Sequence, residues 1–375
     1  MKKQNGINHC EFGFMKKLKM KQFVAAGIML AGLALAPGVR ADVEIFLAGG
    51  NASQNIIYDR ITNILSGGIT SYSVSSTNST VRRFVGTIAS GPGSGLGTIT
   101  IDTSLLGAVQ GLQDVGVNSE TLAAGGSAVP TVAVSSTSPG AVAVNGSVLT
   151  RVGPTLVAPY AYVKKASASP NLANVTNLTA RQAQFLEANA GLFPSAALGG
   201  SSTSDTVYFV GRNLESAVRT EIDANINFSG TISSFTTNSS GQAVQDPNLS
   251  DPGQNSGTAV KALLNVLTNT IATLAASDIG SFTPLAYEGV PYSIANVENG
   301  TYPLWFYENY YYQTSGATAP SANQQVIINL LIGAITNSTF QTTSSLFLNN
   351  YAPLSGMQWY RNQTSDGGKI LSNNY

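Results

Sequence analysis

Apolar residues recur at helical spacing along much of the chain. Ile57, Tyr58, Ile61, Ile64 and Leu65 predict one helix, and Leu105, Leu106, Val109 and Leu112 a second. Thr179-Ala180-Arg181-Gln182 has the form of a capping box and predicts a helix through Phe185 and Leu186. Val260, Leu263, Leu264, Leu267, Ile271 and Leu274 predict the longest helix. Short β-type runs lie between: Val43 to Leu47, Thr98 to Ile101, Leu156 to Val163 and Val207 to Val210. Strands alternating with helices predict an α/β sheet architecture. The Gly-rich stretch Ala89 to Gly97 and the polar stretch Thr236 to Gly257 read as surface loops.

The N-terminal pattern differs. Lys16, Lys17, Lys19 and Lys21 precede an uncharged apolar run from Phe23 to Ala36, and Val39-Arg40-Ala41 supplies small residues at the cleavage positions. Residues 1–41 therefore read as a signal peptide, and the mature chain is expected in the periplasm or secreted. The only cysteine of the full sequence, Cys10, and its only histidine, His9, lie in that segment. The mature chain thus has no Cys or His for a disulfide, a zinc site or a Ser-His-Asp or Cys-His arrangement, and no Cys for a lipid anchor. Cleavage leaves 12 basic against 18 acidic groups, a balance that disfavours polyanions such as nucleic acid. Eleven Asn-x-Ser/Thr triplets follow from a composition this rich in those residues.

Three predicted helix starts carry candidate chemistry. Ala48-Gly49-Gly50-Asn51-Ala52-Ser53 follows the first strand, Asp102-Thr103-Ser104 precedes the helix at Leu105, and Gly211-Arg212-Asn213-Leu214-Glu215-Ser216 opens a helix through Val218 and Ile222. Each places a hydroxyl and free amide donors at the positive end of a helix. If the starts converge they form an anion site, with Arg212 supplying a fixed charge and a fork of donors. Ser at an N-cap and a Gly-Gly turn after a strand are equally ordinary structural devices, and spacing alone does not choose between the two. The aromatic run Tyr302, Trp305, Phe306, Tyr307, Tyr310, Tyr311 and Tyr312 reads as core and hinge packing. Glu215 and Glu308 are the acids to weigh for catalysis; neither shows a partner in sequence, so no enzyme is expected.

At these residues the chain resembles the phosphate-binding proteins of ABC transporters, which are type II periplasmic binding proteins. Gly211 to Thr220 is similar to that family's R-x-x-x-S-G-T segment, and Asn177 to Ala183 to its N-L-T-x-x-Q helix start. Val129 to Ser136 stands at its A-x-S-D segment, Asn299 to Trp305 at its Y-P strand, and Ala48 to Tyr58 at its G-A-G-A-T-F-P opening. The order is the family's. The resemblance implies two α/β lobes joined by a two-stranded hinge, one lobe from 42–162 and 280–375 and the other from 163–279. The crossings would lie near Leu156 to Val163 and Ile279 to Tyr287.

The implied ligand contacts are Asn51, Ala52, Ser53, Ser104, Ser135, Ser136, Arg212, Ser216, Ala217 and Val218. Ala217 and Val218 replace the family's Gly-Thr, Leu105 stands at one of its serines, and Ser136 at its Asp. The implied function is capture of a phosphate-like oxyanion by a monomer, with an ABC permease as partner and no cofactor or metal. The alternative is a surface or scaffold protein that keeps the lobes without binding a small molecule. It draws on the altered residues Ala52, Leu105, Ser136 and Val218, and Arg212 with Ser216 opposes it.

Overall fold

The computed structural model describes residues 41–142, 148–167, 169–361 and 370–372, so most of the expected signal peptide lies outside the described residues. The chain begins with β1 (Val43–Gly49), α1 (Gln54–Ile64), β2 (Ile69–Val74), β3 (Val81–Gly86), β4 (Ile99–Ser104), α2 (Ala108–Asp114), β5 (Glu120–Thr121), β6 (Ser127–Ala128) and β7 (Val132–Ser135). A long strand, β8 (Leu149–Lys164), leads into β9 (Asn177–Leu178), α3 (Ala180–Asn189), β10 (Tyr208–Val210), α4 (Ala217–Ile226), β11 (Phe235–Thr237), β12 (Ala243–Gln245), α5 (Gly257–Val266) and β13 (Thr270–Ala275). The rest comprises β14 (Thr283–Pro284), β15 (Ala286–Tyr287), α6 (Ile294–Glu298), β16 (Trp305–Gln313), α7 (Ala322–Ile335), α8 (Ser338–Thr343), α9 (Ser345–Leu348), β17 (Trp359–Arg361) and β18 (Ile370–Ser372).

Ten strands form one mixed sheet in the order β10-β13-β8-β16-β7-β1-β4-β3-β2, with β14 also on β8. β8 divides it. Leu149 to Pro159 pair with β16, and Tyr160 to Lys164 turn to β13. Parallel pairing of β1 with β4 and β7, and of β10 with β13, requires crossover connections, which α1, α2, α4 and α5 supply. Every residue from Thr155 to Lys164 is buried, and the strand is correspondingly rich in Val, Leu, Ala and Tyr. β14 pairs with Val163 and Lys164, and β15 with β9, so residues up to Tyr287 stay beside the second half of the sheet. The chain rejoins the first half of β8 through β16.

Two expectations need correction. The predicted longest helix stops at Val266, and Ile271 and Leu274 belong to the buried strand β13. Leu267 already turns extended (ψ 131) and Asn269 adopts a left-handed backbone (φ 51), so the helix does not resume, and Thr270, Ile271 and Thr273 are β-branched. Of the described helices α7 is the longest, with Ile327, Ile328, Leu331 and Ile335 buried and a Ser321/Gln324 capping box. The second helix starts later than Leu105: β4 continues through Ser104, held between β1 and β3, and α2 begins at Ala108. Among the described residues, no helix is long and apolar enough to cross a membrane.

Candidate functional site

The first helix start follows from a glycine that nothing else replaces. Gly49 has φ 143, and a Cβ there would lie 2.0 Å from the Val134 carbonyl oxygen. This close approach seats the end of β1 against β7, and Gly111 of α2 rests on Gly49 from the other side. Ser53 is the N-cap of α1 by position, yet its hydroxyl does not cap the helix. Instead Ser53 Oγ donates to Glu308 Oε2 at 2.5 Å. Burial pushes the Glu308 carboxyl up to about 7, opposed by the Ser53 hydrogen bond. The Ala52 carbonyl accepts from Ser277 Oγ at 2.8 Å and from the Tyr351 hydroxyl.

At the second start, Ser104 is buried beside Glu120, whose carboxyl burial raises to about 7 against the pull of the Ser104 hydroxyl. Leu105 is buried. The α2 end meets the third start directly: the Val109 N–H donates to the Glu215 carbonyl at 3.2 Å, and Gly107 leaves room for that carbonyl.

The third start holds the central cation. Arg212 is 2% exposed. Its Nε donates to the Gln254 carbonyl and its Nη2 to the Asn255 carbonyl, each at 3.0 Å. Burial lowers its pKa to about 10, with Asp278 and Tyr160 acting the other way. Ser216 is the N-cap of α4 without a side-chain cap. The N–H groups of Ala217, Val218 and Arg219 have no acceptor among the described residues, and all three residues are buried. Glu215 has its carboxyl raised by burial and then by Asp251 and Asp114.

Ser135 Oγ bonds within its own turn, accepting from the Thr137 N–H and donating to its carbonyl. Ser136 Oγ lies 2.8 Å from the Tyr160 hydroxyl on β8. The three starts border one cavity of about 480 Å³, with Asn51, Leu105 and Asn213 on its wall, joined by Ser256 at the start of α5. Ala52, Ser53, Ser104, Ser135, Ser136, Arg212, Ser216, Ala217 and Val218 are not on the wall of that cavity. Sequence reasoning missed Gln54, Asn255 and Asp278, which do border it, and Tyr160, which stands beside Arg212 electrostatically. The Asn255-Ser256 pair ahead of an apolar run was the legible signal of a fourth helix start.

No protein-family model matches the chain, and no curated protein matches it. Solved structures do. A protein from Clostridium perfringens, assigned as a phosphate ABC transporter substrate-binding protein and solved with bound phosphate, is 14% identical with a TM-score of 0.53. The match covers 82% of this chain and 99% of that one. An ABC-type phosphate transport receptor from Vibrio cholerae is 15% identical, with a TM-score of 0.44 over 76% of this chain and 93% of that one. Identity this low bears on architecture alone. With a large mixed sheet divided by β8 and helices crossing between its strands, the chain has the two-lobed α/β fold of the periplasmic binding proteins.

Proposed function

We propose that this chain is an extracytoplasmic solute-binding protein that holds an oxyanion, with phosphate the leading class, between its two lobes. The observation that carries this reading is the start of α4. There the N–H groups of Ala217, Val218 and Arg219 are buried without acceptors among the described residues, in the same chain segment as the buried Arg212. Buried donors at a positive helix end are stabilised by an anion. In this reading Arg212 turns its Nη1 to the ligand, since Nε and Nη2 are occupied by carbonyls. Ser216 adds a hydroxyl, and Asn51, Ala52 and Ser53 close from the other lobe. Ser104, Ser135 and Ser136 complete the set. Export follows from the N-terminal pattern, and an ABC permease is the partner that a monomeric binding protein of this kind would serve. The lobe division is part of the proposal: 42–162 with 280–375 against 163–279, with β14 and β15, which pair with β8 and β9, lying in the return crossing.

One observation favours the scaffold alternative. The lobes already satisfy one another, Val109 on Glu215 and Ser277 on Ala52, as an interface without ligand would. Calorimetric titration of the mature chain with phosphate, sulfate and arsenate separates the two. The solute-binding reading requires saturable one-site binding of at least one of them; no heat from any of the three leaves the scaffold reading.

A further inference from the structure

Two acids meet in the interior where α3 packs on α4. Glu187 of α3 is 1% exposed, and its Oε1 accepts from the Tyr162 hydroxyl of β8 at 2.6 Å. Asp223 of α4 accepts through Oδ2 from Arg219 Nε, one turn earlier on the same helix. That leaves one oxygen on each acid. Glu187 Oε2 and Asp223 Oδ1 are both buried, and neither finds a hydrogen-bond donor among the described residues. The two carboxyls lie within hydrogen-bonding reach of each other. The groups that face them are Tyr162 from β8, Arg219 from α4 and Tyr287 from β15. Burial holds both phenols above their ordinary value, so they stay neutral and Arg219 supplies the positive charge. With both acids ionised, two carboxylates would share one guanidinium, and two bare oxygens would face each other in the interior. A single proton between them removes both costs.

We propose that Glu187 and Asp223 share one proton in the folded protein, Glu187 donating from Oε2 to Asp223 Oδ1, and that this proton is a pH-sensitive latch between α3 and α4. Burial and then the Asp223 charge push the Glu187 carboxyl well above its ordinary value, which agrees with Glu187 as the donor. Asp223 is raised by burial against the pull of Arg219, the partner that keeps it the acceptor. The latch bears on the segment that opens α4. Arg219 donates from Nη1 to the Arg212 carbonyl and from Nη2 to the Gly230 carbonyl, each at 3.4 Å. Gln184 Nε2 of α3 reaches the Ile226 carbonyl at the far end of α4. Loss of the proton sets two like charges between the helices and competes for the guanidinium that holds the Arg212 carbonyl. No ligand enters this device, so it stands or falls apart from the oxyanion reading.

The test is denaturant unfolding of the mature chain, Glu187→Gln and Asp223→Asn as a function of pH, with infrared spectra of the folded proteins. Glu187→Gln keeps both hydrogen bonds without the proton, since its amide oxygen accepts from Tyr162 and its amide nitrogen donates to Asp223. In the unfolded chain both acids ionise near their ordinary values of 4.5 and 3.8. Above those values folding of the parent takes up one proton that folding of Glu187→Gln does not. The parent's folding constant, divided by that of Glu187→Gln, is therefore expected to fall about tenfold per pH unit from about pH 5.5 upwards, until the folded pair itself ionises. Stability from the latch is thus full at low pH and is lost as pH rises. Asp223→Asn, whose amide can donate to an ionised Glu187, is expected to abolish the same proton uptake, and it carries the test if Glu187→Gln does not fold. The infrared carbonyl absorption of protonated carboxyl groups is expected to lose one group's intensity in either variant. Folding constants of parent and variants that run parallel across about pH 5.5 to 7.5, or an unchanged carbonyl absorption, would show both acids ionised and overturn the latch.

Discussion

Arg212 serves two masters at the residue scale, because the same guanidinium that the reading assigns to the ligand holds the loop carbonyls of Gln254 and Asn255. Arg212→Ala is therefore expected to lower stability by roughly 2 to 4 kcal/mol and to weaken oxyanion binding at least about thirtyfold. Ser216→Ala is expected to cost binding only about 0.5 to 1.5 kcal/mol, since its neutral hydroxyl is one donor among several amides. Chemical denaturation and calorimetry on both variants read the two effects apart. Glu308 sets a pH dependence. In the folded protein its carboxyl titrates at about 7, against an ordinary value of 4.5 in the unfolded chain. Between those values the folded state keeps a proton that the unfolded state has released. Stability is thus full below about 4.5 and is lost as pH rises through about 7; Glu120, raised to about 7 by burial, adds in the same direction. Glu308→Gln is expected to remove its share, roughly 1 to 3 kcal/mol, and to flatten the melting temperature between pH 5 and 7.5. An unchanged profile would show that the carboxyl is already ionised when buried.

Among the elements, the cap of α3 and the glycine contact of α2 make separate predictions. Thr179 Oγ1 accepts from the Gln182 N–H, and the Gln182 side chain accepts from the Thr179 N–H, so Thr179→Ala is expected to cost about 1 kcal/mol in a denaturant melt. A Cβ on Gly111 would lie 2.5 Å from Gly49 Cα, backbone against backbone. Gly111→Ala is expected to cost roughly 1 to 3 kcal/mol, since α2 must move off β1. These elements differ in how legible they were. The capping box and the apolar stripe of α1 are local, and the helices follow them. Thr103 and Ser104 became strand because β1 and β3 flank them, which no local pattern reports. The run through Ile271 and Leu274 kept helical spacing by chance, but the backbone turns extended at Leu267 and left-handed at Asn269 before it.

For the whole molecule, the decisive element is a strand that serves two halves of one sheet, β8, partnered first by β16 and then by β13. Its central part was visible as Leu156 to Val163, but its full length depends on pairing with residues some 150 positions later, beyond the reach of spacing. The candidate site shows the same limit. The first and third helix starts were legible as segments and the second lay three residues late, while the Ser53–Glu308 bond and the Val109–Glu215 contact join residues 255 and 106 positions apart. Anomalous diffraction from crystals of the mature chain grown with arsenate tests oxyanion capture at the start of α4. A single strong arsenic peak is expected at the N-terminus of α4, within hydrogen-bond reach of the Ala217 and Val218 N–H groups and of Arg212. An arsenic peak elsewhere in the molecule, or none in crystals that diffract well enough to show one, would contradict it.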